Sequence, residues 1–292
     1  MVVAIRDCML AKIFPSIGAG LRQLGVNAVE LALGPGFEAP ALDGDDQVCL
    51  ADPGAVAAYR AHLESLGIRA CALLTARDLS LGSPHENTHY LARAVEIADG
   101  LGAGAVRVDS LMIPEAELSF TDRVRLTAEV SSSTIERTPQ ASAALALENH
   151  GKCGNNLAFL LNVFAETRHP RAGLTLDTGN VDWRGLPLSE VYGTIRLLSP
   201  YVRHTHVKSI DFPGSEIEKP REAGWEYAAH VCPLDEGDID HGLIVRMLRH
   251  QGYEGALCIE CEALFKYEDG EKPSVLQREV DYLQEILKKL AA

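Results

Sequence analysis

No apolar run in these 292 residues is long enough to span a bilayer, and the opening MVVAIRDCML has no signal-peptide layout. The expectation is a cytoplasmic protein with no membrane partner. Basic residues are in deficit: 27 Lys and Arg stand against 41 Asp and Glu, a formal net charge of −14. A surface of that sign repels phosphate backbones, which argues against nucleic acid as a partner. Seven cysteines, at 8, 49, 71, 153, 232, 258 and 261, form an odd and scattered set that fits reduced thiols rather than a disulfide framework. Cys258 and Cys261 have a zinc-like spacing, but no second pair follows, so they read as core residues. No glycine-rich phosphate loop follows the first β-prone run, and there is neither a linker nor a low-complexity tract.

What is present is an ordinary globular composition, 47% hydrophobic and 23% charged. Short β-prone runs alternate with helical ones. The strand candidates are Val2–Arg6, Ala28–Leu31, Ala70–Leu74, Ala105–Val108, Ala144–Glu148, Gly173–Asp177, Val202–Lys208 and Ala256–Glu260. Helices are expected near 15–25, 54–66, 86–101, 115–136, 155–167, 188–198, 240–251 and 275–290, with Asn87 and Asp240 as caps and Pro53 and Pro187 in first turns. The strands are nearly continuous apolar runs, as expected where both faces of a parallel sheet are covered. Eight such units over 1–292 point to one α/β domain, a single (β/α)8 TIM barrel, in preference to a doubly wound open sheet. One long connection, about 209–239, follows the seventh strand and is expected to lie over the active site. In the last helix Leu276, Val280, Leu283, Leu287 and Leu290 recur at helical spacing and mark the face that packs on the barrel.

In such barrels the C-terminal strand ends carry the chemistry. Those ends supply Glu30, Glu148 with His150, Asp177 with Asn180, His206 with Lys208, and Glu260 with Glu262. Glu148, Asp177, His206 and Glu260 stand at the tops of strands five to eight in succession. Three carboxylates gathered there repel one another unless they are protonated or bind a cation. Three carboxylate oxygens with one imidazole nitrogen form a mostly hard donor set, suited to one divalent ion, Mn²⁺, Mg²⁺ or Co²⁺, with Zn²⁺ also compatible. His204, one strand repeat deeper than His206, reads as a supporting hydrogen-bonding residue, whereas Lys208 lies one repeat further out, within reach of a substrate oxygen. Glu30 reads equally as a substrate contact, a support for the metal or a structural ion pair. His150 reads equally as a substrate contact or a solvated residue. His230 and Glu236 could close over a sugar, and Trp183 and Trp225 could wall its pocket. Asp238 and Asp240 are expected to fix a turn and cap the next helix.

The stretches GVNAVEL, ALENHG, LDTGN, HTHVKS, DEGDID and GYEGALCIE resemble those of the xylose-isomerase-like barrel superfamily. The resemblance spans nearly the whole chain and is nearest to its branch of sugar isomerases and epimerases, which also holds inosose and dehydroshikimate dehydratases. It implies a single divalent metal on Glu148, Asp177, His206 and Glu260, with Glu148 and Glu260 as acid and base on opposite faces of a ketose. The implied partner is a small sugar or polyol, and relatives are often dimers or tetramers. Two positions depart from the pattern. Asn180 stands where many relatives have histidine, and Ser209 follows Lys208 where they often have aspartate. The first departure also removes a ligand that the DNA-repair branch with three zinc ions would need. The expected activity is therefore isomerisation or epimerisation of a ketose. Dehydration of a keto-polyol is the alternative, and a catalytically silent sugar-binding barrel is the third reading.

Overall fold

The computed structural model describes residues 1–113 and 117–291. Eight parallel strands close into a barrel in chain order: β1 (Val2–Arg6), β2 (Ala28–Leu33), β3 (Arg69–Thr75), β4 (Ala105–Val108), β5 (Ala144–Glu148), β6 (Ala172–Asp177), β7 (Val202–Val207) and β8 (Ala256–Ile259), which pairs back with β1. Eight main helices follow them: α1 (Ile17–Leu24), α2 (Pro53–Ser65), α3 (Pro84–Leu101), α4 (Phe120–Arg137), α5 (Leu157–Thr167), α6 (Leu188–Leu198), α7 (His241–His250) and α8 (Lys272–Lys289). This is the expected (β/α)8 barrel. Among the described residues no helix is long and apolar enough to cross a membrane.

Several boundaries differ from the sequence reading. The cap of α3 is Ser83, not Asn87: Ser83 and Glu86 satisfy each other's backbone amides as a capping box, with Pro84 in the first turn. Asn87 lies inside that helix, buried, where its amide donates to the carbonyls of Leu79 and Leu81 and its oxygen accepts from Arg77. Asp240 does cap α7, accepting from the Leu243 amide at 2.8 Å. Pro53 opens α2 beneath an Asp52 cap, while Pro187 stands just before α6. Of the helix expected at 115–136, residues 115 and 116 lie outside the described residues. Lys208 and Glu260 fall just past their strands rather than within them.

Side-chain alternation divides each strand between two cores. Val3 and Ile5 join the large apolar shell beneath the helices. Ala4 instead packs with Ala28, Ala256 and Cys258 in a separate cluster, and Ala72, Ala105, Ala144 and Ala146 form another. The lumen is thus filled at its base by alanine and cysteine, and the long polar side chains crowd its upper part. Cys258 and Cys261 are both buried, and all seven cysteines are free thiols. Gly173 in β6 is demanded by space: a Cβ there would stand 2.3 Å from the Tyr201 carbonyl oxygen. Gly173→Ala is expected to cost about 1–3 kcal/mol and to lower the melting temperature; an unchanged melt would contradict the crowding.

The long connection after β7 is pinned rather than loose. Ser209–Ile210 pairs antiparallel with Val231–Cys232, and a short helix, Tyr227–His230, lies between them. Lys266, beyond β8, donates to the carbonyls of Ala229 (2.7 Å) and Val231 (2.6 Å). Glu279 of α8 accepts from the Leu234 amide at 3.1 Å. Burial pushes the Glu279 carboxyl up to about 8 from an ordinary 4.5. A carboxyl raised in this way contributes stability that is complete below about 4.5 and is lost as pH rises through about 8. Wild type should therefore lose stability relative to Glu279→Gln across that window. Melting curves at stepped pH test this, and parallel curves would contradict it.

Candidate metal centre at the barrel mouth

The four successive strand ends do converge. One ligand atom each from Glu148, Asp177, His206 and Glu260 lies within 4.8 Å of the others, and all four residues are buried. His206 is the hub. Its Nδ1 lies 2.7 Å from Glu148 Oε1 and 3.2 Å from Glu260 Oε2, while its Nε2 faces both oxygens of Glu30 at 3.0 and 2.9 Å. Burial pushes the imidazole down, yet the negative Glu30 and Glu148 outweigh it and lift His206 to about 9. Burial likewise opposes ionisation of Glu30, but His206 and His204 hold that carboxyl well below its ordinary value.

Glu30 therefore lies on the far side of His206 from the other acids, with His204 Nε2 2.9 Å from its Oε1. A histidine held by a carboxylate on one ring nitrogen and turned toward acidic groups with the other has the arrangement usual for a metal ligand. Lys208 closes the other side, with Nζ 2.9 Å from Asp177 Oδ2, 3.1 Å from Glu260 Oε2 and 3.1 Å from Glu262 Oε1. That one ammonium is shared by Asp177 Oδ2 and Glu260 Oε2, two buried oxygens from adjacent strand ends. Two buried carboxylate oxygens sharing a single ammonium, beside an imidazole nitrogen and a third carboxylate, form a donor set that fits a hard divalent cation.

The other expected residues are distributed unevenly. Asn180 is local: its backbone amide donates to Asp177 Oδ1 at 2.9 Å, and its buried side-chain amide has no partner. His150 is at the rim, half exposed, with Nδ1 2.7 Å from Asp109 Oδ1. His230 is not brought to the four. Its Nδ1 faces the Asp211 carbonyl at 2.9 Å, and its ring stacks on Trp225 with centroids 5.5 Å apart. Trp225 is thereby spent on the connection itself, Trp183 lies against Gly224, and Glu236 pairs with Arg278 of α8.

A model of the xylose isomerase-like TIM barrel family matches residues 19–286. The chain belongs to that family. Among curated proteins none matches the sequence. Solved structures with the same fold include the IolI protein with a bound zinc atom (14% identity, TM-score 0.70, 99% of each chain covered). An L-ribulose 3-epimerase is similar at 16% identity and TM-score 0.68, over 99% of this chain and 95% of that one. A probable 3-DHS dehydratase, AsbF of Bacillus anthracis, is similar at 16% identity and TM-score 0.67, over 97% and 99%. At these identities the likeness is one of fold.

Four residues of this family member escaped the sequence reading. Arg6 and Arg107 each lay a guanidinium on a glutamate, Arg6 on Glu260 and Arg107 on Glu148. Asp109 lies 2.9 Å from Arg107 Nη2. Tyr227, from the long connection, donates to Glu262. The two arginines did leave a signal: each is a lone charge in an otherwise apolar strand, in VVAIRD and AVRVD. Tyr227 left none, because its approach depends on how the connection folds back. Arg6, Tyr227, Glu260 and Glu262 also line one cavity of about 610 Å³ between the ends of β1 and β8. That volume is within the range of small-molecule sites.

Proposed function

We propose that the chain is a divalent-metal-dependent isomerase or epimerase of a ketose or related polyol. The observation that carries this reading is the convergence of Glu148, Asp177, His206 and Glu260, all buried, with one ligand atom of each within 4.8 Å of the others. When bound, a dication there supplies Lewis-acid polarisation of a carbonyl and so acidifies the neighbouring C–H. The protein's own groups do the rest. Glu148 and Glu260 approach His206 Nδ1 from different strands, so one can take a proton from a substrate carbon while the other returns one. Burial opposes the charge on Glu148, but Arg107 and His206 keep it ionised well below the ordinary carboxylate range. Lys208 presents an ammonium to the same space, where it would hold a substrate oxygen, and Asn180 offers a free amide beside it. The solved epimerase of the same fold supports the reading.

Dehydration is the second reading, and the His150–Asp109 pair favours it. A half-exposed imidazole oriented by a carboxylate is placed to protonate a departing hydroxide, and a solved relative carries a dehydratase title. The deciding assay incubates the protein in D₂O with ketoses, inososes and dehydroshikimate. The first reading predicts deuterium entering a carbon adjacent to the carbonyl without loss of water; loss of water favours the second. Neither event with any substrate, despite tight binding, would leave a silent sugar-binding barrel.

A further inference from the structure

We infer that Arg107 is a built-in cation that keeps the centre mononuclear by filling a second ligand set made of Asp109, Glu148 and His150. The inference rests on the metal reading above and goes beyond it. Glu148 belongs to two groups of potential ligands at once: the four already described, and a second with Asp109 and His150, again with one atom of each within 4.8 Å of the others. The Arg107 guanidinium touches two members of the second group, Glu148 and Asp109. One terminal nitrogen, Nη2, contacts Glu148 Oε2 and also lies 2.9 Å from Asp109 Oδ1. Asp109 Oδ1 is the same oxygen that faces His150 Nδ1 at 2.7 Å. The guanidinium therefore stands where a second dication would have to stand.

It is also fixed there. Nη1 donates to the Thr75 carbonyl at 3.1 Å, and Thr75 Oγ1 donates to the Arg107 carbonyl at 2.8 Å, locking the side chain between β3 and β4. The side chain is only 7% exposed. A guanidinium cannot surrender its proton at working pH, so a metal ion cannot displace that proton as it can from an imidazole. Arg107 also occupies Glu148 Oε2, which leaves Oε1 as the oxygen facing His206. The consequence is one dication per chain with a single oxygen of Glu148 turned toward it. Arg107 is thus a positioning residue whose loss should show as a change in metal count.

The experiment loads chelator-stripped protein with excess Mn²⁺, removes free ion by gel filtration, and measures bound manganese together with its electron paramagnetic resonance spectrum. Wild type is expected to hold one ion with an uncoupled spectrum. Arg107→Met, similar in length but uncharged, is expected to hold two with a spin-coupled signal, and adding Asp109→Asn should return the count to one. Two ions in wild type, or one in folded Arg107→Met, overturns the inference while leaving the four-residue centre intact. No ion in wild type overturns that centre, and the inference with it. Should Arg107→Met fail to fold, Arg107→Gln, which keeps a donor for the Thr75 carbonyl, is read by the same criteria.

Discussion

Glu148→Gln and Glu260→Gln should each lower kcat by about 10²–10⁴-fold, the usual worth of a positioned acid or base. Glutamine keeps the length and one oxygen of the side chain, so the loss reports the proton and charge rather than a cavity. Each variant also takes one of two carboxylates from a guanidinium, leaving Arg107 with Asp109 in one case and Arg6 with Glu30 in the other. Breaking a buried pair costs about 3–5 kcal/mol, so assays belong well below each variant's melting temperature. Isotope exchange makes the test sharper. If the two glutamates serve opposite faces of one carbon, each variant retains deuterium wash-in from one configuration of the substrate and loses it from the other. Wild-type turnover in either variant, with metal content confirmed, would remove the residue from the reaction.

Stripping the metal should abolish activity entirely, and Mn²⁺, Mg²⁺ or Co²⁺ should restore it. The same loading should be visible without any substrate. An ion that binds only the folded chain stabilises it by about 2.7 kcal/mol when its free concentration is 100 times Kd. The melting temperature should therefore rise on addition of the dication, and it should do so even in variants with no turnover. His206→Ala, which removes the hub nitrogen, should lose this response. Full activity in the presence of a strong chelator, with no thermal shift on adding metal, would contradict the metal reading.

The barrel and the four strand-end residues were legible because both follow from short-range rules. Apolar runs of strand length alternate with amphipathic helices, and a lone acid or histidine at the end of such a run has its direction set by alternation. The exact partners were less legible. Glu30 has the same sequence surroundings as a rim residue, yet it lies on the far side of His206 from the other acids, because β2 meets His204 and His206 from across the lumen. That contact joins residues 174 and 176 positions apart. Arg6 and Arg107 read as ordinary strand charges until the closed barrel brings them onto Glu260 and Glu148. His230 was drawn into the site only because its connection is long. In the structure the connection uses that ring for its own packing, against Trp225 and Phe212. The α3 cap was missed for a local reason: Ser83 followed by Pro84 and Glu86 is a stronger start signal than Asn87.

Whether the four strand-end residues hold one dication is read directly by anomalous diffraction from crystals grown with Mn²⁺. A single manganese peak is expected, bounded by Glu148, Asp177, His206 and Glu260, with Glu30 still on the far nitrogen of His206. No peak at that position, with manganese in excess, would contradict it.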